Sequence, residues 1–561
     1  MRARLVLAFL LGGLGLLAVR AVYLQVISAD YLKSQGQQRH SRIVKDNSHR
    51  GMILDRNGVP LAISTPIDSV SAHPAAVLED RKHLGLLARL VEMTPQELAR
   101  LLERNQGREF VYLKRHVTPD LAERVMALKV PGVSLVREYR RYYPAGPVAG
   151  HILGFTNVDD QGQEGIELAY DAWLRAVPGQ KRVLKDLRGN AVEFVESVRL
   201  PVPGKDLTTS IDRRIQYLAY RELKAAVEAN GARAGSAVVL DAHTGEVLAL
   251  VNEPDFNPNN RAGLRSDSFR NRAVTDLYEP GSTLKPFTIA AALESGKFSP
   301  DSIIDTAPGL FQVGNKTIRD VHNYGAISVA RVIEKSSNVG ASKIALAMRR
   351  DALWDMLRRV GFAAPSGSRL PGEVNGLLNP ASSWVPIEHA TVSYGYGISV
   401  TTLQLARAYA VLANGGELVP VTLRRQDAAP EGARVLSAKV AQSVRQMLEL
   451  AVGAEGTGGA ARVPDYRVGG KTGTVHKLTP SGYSSDDYVA WFAGFAPAQN
   501  PRLVMVVAVD GPRRGRYFGG DVAAPVFGQV ISGALRLLDV PPDAPRVPVT
   551  RVVTAKQGKD L

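Results

Sequence analysis

Cysteine is absent from the 561 residues of the chain. Without thiols the protein can form neither disulfide bonds nor thiolate metal sites, whatever compartment it occupies. The ten histidines show no metal-ligand spacing, and the sequence His-Glu-x-x-His does not occur. We therefore predict no catalytic metal and no cofactor. Long low-complexity tracts are also missing, which argues against extended disorder.

Acidic residues are outnumbered by basic ones, 54 to 69, and the formal net charge is +15. This balance suits an anionic partner such as nucleic acid, a membrane surface or an acidic polymer. It is equally compatible with a surface that lysine and arginine merely solvate. The length exceeds what one compact core usually holds, so we expect two or more domains.

Long apolar runs are confined to the N-terminus, where Leu5–Val19 is uncharged and apolar character resumes from Ala21 to Ile27. A cleaved signal peptide and a retained anchor both begin in this way. A signal peptide should end in a small-x-small cleavage site. Val19-Arg20-Ala21 is a poor match to such a site, which weakens the signal-peptide interpretation. We predict a transmembrane anchor over residues 5–27, which is long enough to span a bilayer if Arg20 is tolerated near its end.

The charges before this segment predict its orientation. Arg2 and Arg4 should keep residues 1–4 in the cytoplasm and send the rest of the chain outside. An extracytoplasmic body would be separated from nucleic acid by the membrane, so we predict no nucleic-acid partner. Anionic lipid or a wall polymer then explains the positive charge better.

The spacing of apolar and polar residues divides the remaining chain into two predicted domains and a tail. Residues 28–204 form an N-terminal domain, with helical spacing from Leu84 to Arg104 and alternating residues from Val183 to Leu207. Residues 205–540 form a second domain, and residues 541–561 a loosely ordered tail. Within the second domain we predict a helix, a hairpin, a helical region and a buried strand, at Ile211–Val227, Ala237–Val251, Leu284–Leu450 and Leu503–Val509. Along the chain a pair of strands is followed by helices and then by a second pair of strands. This order predicts an α+β domain with an antiparallel sheet.

Ser282 and Lys285 form the first element with chemical meaning. Pro280 and Gly281 predict a tight turn that leaves Ser282 at a helix N-terminus, where backbone N–H groups and the helix dipole favour negative charge. Lys285 lies one turn further on the same face. A serine hydroxyl needs a base to become a nucleophile, and a lysine with a depressed pKa can serve. Taken alone, Ser-x-x-Lys occurs by chance in many exposed helices.

Two further elements follow in order. Ser336-Ser337-Asn338 begins another helical stretch, and Lys471-Thr472-Gly473-Thr474 has strand character around a glycine that leaves room for a ligand backbone. Ser-x-x-Lys, Ser-Asp-Asn and Lys-Thr-Gly occur together in serine β-lactamases and penicillin-binding proteins. The middle motif here is Ser-Ser-Asn, which keeps the outer two residues of that pattern. The glycine-rich stretch at 453–459 lacks a phosphate-loop ending, and we predict a flexible loop there.

The chain resembles the class B penicillin-binding proteins, and within them the cell-division D,D-transpeptidases that act on peptidoglycan. The likeness covers nearly the whole chain and includes Arg50-Gly51, Asp55-Arg56-Asn57-Gly58, Asn257-Pro258-Asn259-Asn260, Arg270-Asn271-Arg272, Ser336-Ser337-Asn338-Val339-Gly340, Tyr394-Gly395-Tyr396-Gly397, Leu403-Gln404-Leu405-Ala406 and Tyr517-Phe518-Gly519-Gly520. It implies a penicillin-binding, serine β-lactamase-like transpeptidase domain with helices on both faces of its sheet. An elongated pedestal domain and a single transmembrane helix would precede that domain.

The resemblance also implies roles for the motif residues. Ser282 would be the nucleophile, Lys285 its base, Ser336 the proton donor to the leaving amine, and Asn338 a ligand of Lys285 and the substrate amide. Lys471, Thr472 and Thr474 would hold the carboxylate of a D-Ala-D-Ala stem peptide, and the strand at Gly473 would pair with it. Backbone N–H groups of Ser282 and Thr474 would form the oxyanion hole. Tyr517 and Phe518 line the site or belong to the core.

The resemblance further implies β-lactam antibiotics as ligands, and a membrane glycan polymerase and other division proteins as partners at the septum of an inner membrane. An elongation-specific class B transpeptidase and a non-catalytic division scaffold remain alternatives. A free β-lactamase needs neither the anchor nor the first domain, and a β-lactam sensor usually has several spans. A bifunctional enzyme would need a glycosyltransferase domain, for which the sequence shows no candidate.

Overall fold

The computed structural model describes residues 1–28, 41–80, 82–185, 191–480 and 482–544. The chain forms two compact units. The first contains Met1–Met52, Ile63–Tyr142 and Ala172–Asp206, and the second contains Ile53–Ala62, Tyr143–Asp171 and the chain from Leu207 onward. The domain limits expected from sequence, 28–204 and 205–540, stay predictions.

The helices are, in chain order, α1 Arg2–Val22, α2 Pro74–Glu79, α3 Leu84–Leu90, α4 Pro95–Arg104, α5 Pro119–Ala127, α6 Gly150–Leu153, α7 Gly165–Ala169, α8 Asp171–Leu174, α9 Arg213–Ala229, α10 Arg272–Thr275, α11 Lys285–Glu294, α12 Val329–Glu334, α13 Asn338–Leu346, α14 Arg350–Arg359, α15 Pro386–Val392, α16 Thr402–Ala413, α17 Ala438–Val452, α18 Gly519–Val522 and α19 Ala524–Leu537.

The strands are β1 Ser41–Asp46, β2 Ile53–Leu54, β3 Pro60–Ala72, β4 Val111–Val117, β5 Val133–Tyr142, β6 Gly179–Lys185, β7 Ala191–Arg199, β8 Leu207–Thr208, β9 Ala234–Asp241, β10 Val247–Glu253, β11 Ile303–Asp305, β12 Leu310–Val313, β13 Lys316–Arg319, β14 Ala326–Ser328, β15 Leu377–Leu378, β16 Ile398–Ser399, β17 Glu417–Leu418, β18 Ala433–Arg434, β19 Gly469–Thr479, β20 Gly482–Ala496 and β21 Leu503–Asp510.

The first unit contains two small antiparallel sheets. Residues 63–72 of β3 pair with β4 and β5, and β6 pairs with β1 and β7. Helices α2 to α5 bury a cluster that includes Leu98 and Leu102. At the start of α4 the Thr94 hydroxyl accepts the Glu97 N–H, and the Glu97 side chain accepts the Thr94 N–H. This capping box satisfies two backbone donors at the start of the helix.

Helix α1 and a π-helical continuation, Tyr23–Ile27, form the candidate anchor. Within the part of the chain that the structure describes, residues 2–27 are the one helical segment long and apolar enough to cross a bilayer. None of the residues of α1 is buried. The Arg20 guanidinium lies 5.5 Å from the centre of the Tyr23 ring, an arrangement that suits a cation near a membrane interface.

The second unit is built on a five-stranded antiparallel sheet with the order β10-β9-β21-β20-β19. Every residue of β9, β10 and β21 is buried. Continuous burial on both sides requires a helical layer on each face. Helices α9 and α19 pack on one face with the odd-numbered residues of β21. Helix α16 packs on the other, where the Ser236 and Thr402 hydroxyls lie 2.7 Å apart.

The structure confirms the predicted α+β class, the helix α9, the hairpin β9–β10 and the buried strand β21. The sheet has one strand more than the two predicted pairs. The additional strand is β20, which lies between β19 and β21 and pairs with both. Part of the predicted tail lies outside the described residues. Residues 541–544 are held in place, since Asp543 accepts the Arg467 N–H and Ala544 donates to the Asp465 carbonyl.

Candidate active site

Ser282 lies in a 3₁₀ turn, Gly281–Leu284, which continues directly into α11. Gly281 has φ +56°, a conformation that glycine adopts without steric cost. The turn is fixed from within, because the Thr283 hydroxyl donates to the Pro280 carbonyl at 2.7 Å and the Tyr409 hydroxyl donates to the Thr283 carbonyl at 2.8 Å. The predicted position of Ser282 at the start of a helix is therefore what the structure shows.

Lys285 is fully buried, and its Nζ contacts three motif residues. Nζ lies 2.8 Å from Ser282 Oγ, 2.8 Å from Asn338 Oδ1, 2.7 Å from the Ser336 carbonyl and 3.2 Å from Ser336 Oγ. Burial holds the pKa of Lys285 well below its usual range, and the charge of Lys471 lowers it further. A neutral amine this close to a hydroxyl is placed to accept the hydroxyl proton.

The segment Ser336-Ser337-Asn338 is held in an unusual conformation. Ser336 has φ +61°, which is rare for a residue other than glycine and marks a constrained position. Ser337 caps α13, because its hydroxyl accepts the Gly340 N–H at 2.8 Å. The segment thereby presents the side chains of Ser336 and Asn338 to the same amine.

A carboxylate that the sequence analysis missed holds this segment. Asp320 accepts the Ser337 hydroxyl and the Asn338 N–H, both at 2.5 Å, and the Val339 N–H at 3.0 Å. It therefore satisfies the first backbone donors of α13, the place where a negative charge is most stabilising. Asp320 follows β13 by one residue, and no local pattern connects it with α13.

Lys471 is fully buried on β19, and burial lowers its pKa to about 7. Its Nζ lies 3.4 Å from the hydroxyls of both Thr457 and Thr472, and these two hydroxyls are 2.7 Å apart. A cation and two hydroxyls together suit a carboxylate. Thr457 belongs to the glycine-rich stretch predicted as a flexible loop, and its place in the site was missed.

Strand β19 lies directly against the serine turn. A Cβ on Gly473 would be 2.8 Å from the Pro280 carbonyl oxygen and 3.0 Å from Thr283 Cγ2, so only glycine permits this approach. The strand pairs with β20 on one side, and no described strand pairs with its other edge. An unpaired edge is where an extended peptide can add as a further strand.

Tyr517 and Phe518 lie beside this strand. The Thr474 hydroxyl accepts the N–H of Gly519, the next residue along, at 3.0 Å. Tyr517 stacks on Tyr488 with ring centres 4.3 Å apart, and Phe518 is 52% exposed. The alternative of an ordinary core role is therefore wrong for Phe518. Tyr488, on β20, is a further member that sequence reasoning missed.

The structure thus brings the three motifs together: a serine and a buried, low-pKa lysine at a helix start, a Ser-x-Asn segment, and a strand with a second lysine. This combination defines a serine acyl transferase of the Ser-x-x-Lys class. Two protein-family models match the chain. The family model of the penicillin-binding protein transpeptidase domain matches residues 235–532, and that of the penicillin-binding protein dimerisation domain matches residues 45–209.

Similar sequences and solved structures assign the chain to the same family. The chain is 42% identical to the peptidoglycan D,D-transpeptidase FtsI of Escherichia coli strain K12, over 96% of this chain and 91% of that one. It is similar to penicillin-binding protein 3 of Mycobacterium tuberculosis, solved with aztreonam, with 30% identity and a TM-score of 0.69 over 90% of this chain and 99% of that one. The transpeptidase domain of Burkholderia pseudomallei penicillin-binding protein 3 is 46% identical, with a TM-score of 0.56, over 60% of this chain and 98% of that one.

The chain belongs to the penicillin-binding protein family of peptidoglycan D,D-transpeptidases, in its class B branch. Its apolar N-terminal helix is consistent with a single-pass membrane anchor.

Proposed function

We propose that the chain cross-links the stem peptides of peptidoglycan through an acyl-enzyme on Ser282. The observation that carries the proposal is the 2.8 Å contact between Lys285 Nζ and Ser282 Oγ, in a site whose burial holds the pKa of that amine well below its usual range. A buried base with a depressed pKa beside a hydroxyl is what nucleophilic catalysis by serine requires.

Acylation begins when the neutral amine of Lys285 takes the proton of Ser282 Oγ. The oxygen then attacks the carbonyl carbon between the two terminal D-alanines. As the C–N bond breaks, the hydroxyl of Ser336 gives its proton to the leaving amine of D-Ala and recovers one from Lys285. In the second half, the amine of a neighbouring stem attacks the ester carbon and the bond from that carbon to Ser282 Oγ breaks. The proton that the amine loses passes through Lys285 to the released Ser282 oxygen.

The remaining motif residues bind and orient the donor peptide. Lys471 and the hydroxyls of Thr472 and Thr474 hold its terminal carboxylate, and Thr457 adds a further hydroxyl beside Lys471. The open edge of β19 pairs with the peptide backbone, which fixes the scissile bond over Ser282. Asn338 binds Lys285 and the substrate amide.

Negative charge develops on the carbonyl oxygen during both halves of the reaction. We assign its stabilisation to the backbone N–H groups of Ser282 and Thr474. Such preorganised donors commonly supply the largest single contribution to acyl transfer. Support comes from the packing of Thr474 against the residue before Ser282: a Cβ on Gly281 would be 3.8 Å from the Thr474 nitrogen.

β-Lactam antibiotics are the second ligand class that we propose. They carry a carboxylate or its equivalent beside a strained amide, so the same groups would bind them and Ser282 would open the ring. The relative from Mycobacterium tuberculosis was solved with aztreonam.

We further propose that residues 1–4 are cytoplasmic, that the body is extracytoplasmic, and that the protein acts at the septum. Arg2 and Arg4 support the orientation, and similarity to the division enzyme of Escherichia coli supports the site of action. The same similarity supports a membrane glycan polymerase and other division proteins as the proposed partners.

The central assignment is tested by labelling with a fluorescent penicillin. The full-length chain should form one covalent adduct, and Ser282→Ala should form none, because the ester oxygen is missing. Ser295→Ala is the matched control: Ser295 is exposed just after α11, and its substitution should leave labelling unchanged. A covalent adduct on Ser282→Ala would remove Ser282 from the mechanism, and an unlabelled wild-type chain would favour the non-catalytic scaffold.

A further inference from the structure

Glu279, three residues before Ser282, has an environment that the proposed chemistry does not explain. It is only 8% exposed. Its Oε1 accepts hydrogen bonds from the Gly397 N–H at 2.7 Å and the Tyr483 hydroxyl at 2.9 Å. Its Oε2 is buried and has no hydrogen-bond partner within the described structure. Burying a carboxylate with an unsatisfied oxygen is costly, so a compensating role is expected.

The backbone of the same residue is attached to β20. The Glu279 carbonyl accepts the Trp491 indole N–H at 3.1 Å. Trp491 is fully buried and lies opposite Gly473 in the β19–β20 pairing. Tyr483, the partner of the carboxylate, lies at the other end of β20, opposite Leu478. One residue therefore holds the β19–β20 hairpin at two separate points.

The carboxylate also reaches the turn formed by residues 394–397, which backs onto the serine turn. The Gly281 N–H donates to the Gly395 carbonyl at 3.1 Å, and Tyr278 and Val400 exchange two backbone hydrogen bonds. The rings of Tyr396 and Tyr483 lie 5.5 Å apart. Glu279 thus connects three segments: the serine turn, the turn at 394–397 and the β19–β20 hairpin.

We propose that Glu279 is a positioning residue that fixes β19 relative to the serine turn. This inference rests on the proposed function, in which one oxyanion donor is the Ser282 N–H and the other is the Thr474 N–H. Because these donors come from separate elements, they converge on one oxygen only if the elements stay in register. Misplacement by about 1 Å can cost a hundredfold in rate, and removal of one oxyanion donor costs about 100- to 1000-fold.

The role of Glu279 is that of a hydrogen-bond acceptor rather than a counter-ion. Burial raises the pKa of Glu279, and the groups that oppose this rise are the hydrogen-bond donors Gly397 and Tyr483, with no basic side chain among them. A glutamine amide oxygen could accept the same two hydrogen bonds. The conservative substitution Glu279→Gln should therefore preserve the function that Glu279→Ala removes.

The experiment measures acylation and deacylation of the full-length protein with penicillin, in wild type, Glu279→Ala, Glu279→Gln and Tyr483→Phe. For Glu279→Ala we expect the acylation rate constant to fall at least about tenfold while pre-covalent binding changes less than about threefold. Hydrolysis of the acyl-enzyme should slow in similar proportion, because its transition state uses the same oxyanion hole. Glu279→Gln should stay within about threefold of wild type.

Tyr483→Phe protects the test against misfolding of a buried variant. The Tyr483 side chain is half exposed, so loss of its hydroxyl should leave the melting temperature unchanged while acylation slows about two- to fivefold. Glu431→Ala, which removes an exposed glutamate, is the matched control and should acylate like wild type. If Glu279→Ala does not fold, Tyr483→Phe decides: wild-type kinetics for it would overturn the proposal.

The other outcomes are also decisive. A Glu279→Ala protein in which fewer molecules are acylated, but each at the wild-type rate, would show a purely structural role and overturn the proposal. Equal slowing of Glu279→Gln and Glu279→Ala would overturn the acceptor role. If the wild-type chain forms no acyl-enzyme, the proposed function fails and this inference with it. If wild type and Glu279→Ala acylate equally, only this inference fails.

Discussion

At the scale of single residues, the proposed mechanism gives two fully buried lysines different tasks. Burial lowers the pKa of both Lys285 and Lys471, and Lys471 also lowers the pKa of Lys285. Lys285 must be neutral to accept a proton, whereas Lys471 must be charged to bind a carboxylate. The two requirements conflict unless the pKa of Lys285 is the lower one, which the additional repulsion from Lys471 favours.

This arrangement predicts a bell-shaped pH dependence of acylation efficiency. Activity should fall with decreasing pH as Lys285 becomes protonated and can no longer act as a base. It should also fall with increasing pH above about 7, because Lys471, with a pKa of about 7 in the free site, loses the charge that binds the carboxylate. Acylation by penicillin measured from about pH 5 to about pH 9.5 gives both limbs.

The variant Lys471→Arg separates the acidic limb of the pH profile from the alkaline limb. In Lys471→Arg the guanidinium stays charged at every pH in this range. The descending alkaline limb should therefore disappear, even if the maximum rate is lower. An alkaline limb unchanged in Lys471→Arg would show that a group other than Lys471 causes it.

The sequence predicts the residues of the site that lie within local motifs, and it misses those that arrive by tertiary contact. The one-turn spacing of Ser282 and Lys285 is a local geometric fact, and the structure shows it as a 2.8 Å contact. Asp320 and Thr457 have no such pattern. Asp320 reaches α13 from 17 residues away, and Thr457 reaches Lys471 from a glycine-rich stretch that reads as a loop. Only the folded chain reveals these contacts.

At the scale of secondary-structure elements, the close approach of β19 to the serine turn determines the site. Of the three glycines of β19, Gly473 lies against the Pro280 carbonyl and permits this packing, whereas Gly469 and Gly470 lie against Phe495 and Phe492 of β20. The sequence indicated room for a ligand at Gly473. The structure adds that the same glycine leaves room for the serine turn itself.

Gly473→Ala tests this packing. Its Cβ would lie 2.8 Å from the Pro280 carbonyl oxygen, so the strand or the turn must shift. We expect acylation by penicillin to fall at least about tenfold and the free energy of unfolding to fall by about 1–3 kcal/mol, measured by stopped-flow fluorescence and denaturant titration.

Gly459→Ala is the matched control, because the nearest atom to its Cβ would be an Arg462 nitrogen 4.0 Å away. It should retain the kinetics and stability of wild type. Wild-type behaviour of Gly473→Ala would show that the contact at Pro280 is not needed for activity.

Element prediction failed at β20 for a physical reason. Its first half, from Gly482 to about Asp487, is polar and partly exposed, whereas its second half, Val489–Ala496, is buried throughout. The strand therefore shows neither continuous alternation nor one uniform apolar run. Strand β21 is buried along its whole length, and its apolar run predicted it correctly.

At the scale of the whole molecule, the position of the anchor restricts what the catalytic residues can reach. An N-terminal span with Arg2 and Arg4 before it would hold every later residue on one side of the membrane. On this proposed topology, the excess of basic residues would face anionic lipid and wall polymer. Sequence predicts this segment well, because a long apolar run is a property of composition and needs no tertiary contact. Division and elongation enzymes would share all these features.

Depletion of the protein in its own cells, followed by microscopy, separates these functions at the scale of the cell. If the protein cross-links septal wall, side-wall synthesis continues while septa fail, and the cells should grow into filaments. Loss of an elongation enzyme would give round cells instead. Expression of the wild-type chain should restore division, whereas Ser282→Ala, present at the same level in the membrane, should not. Restoration by Ser282→Ala would mean that the chain acts at the septum as a scaffold, and that its acyl transfer is dispensable there.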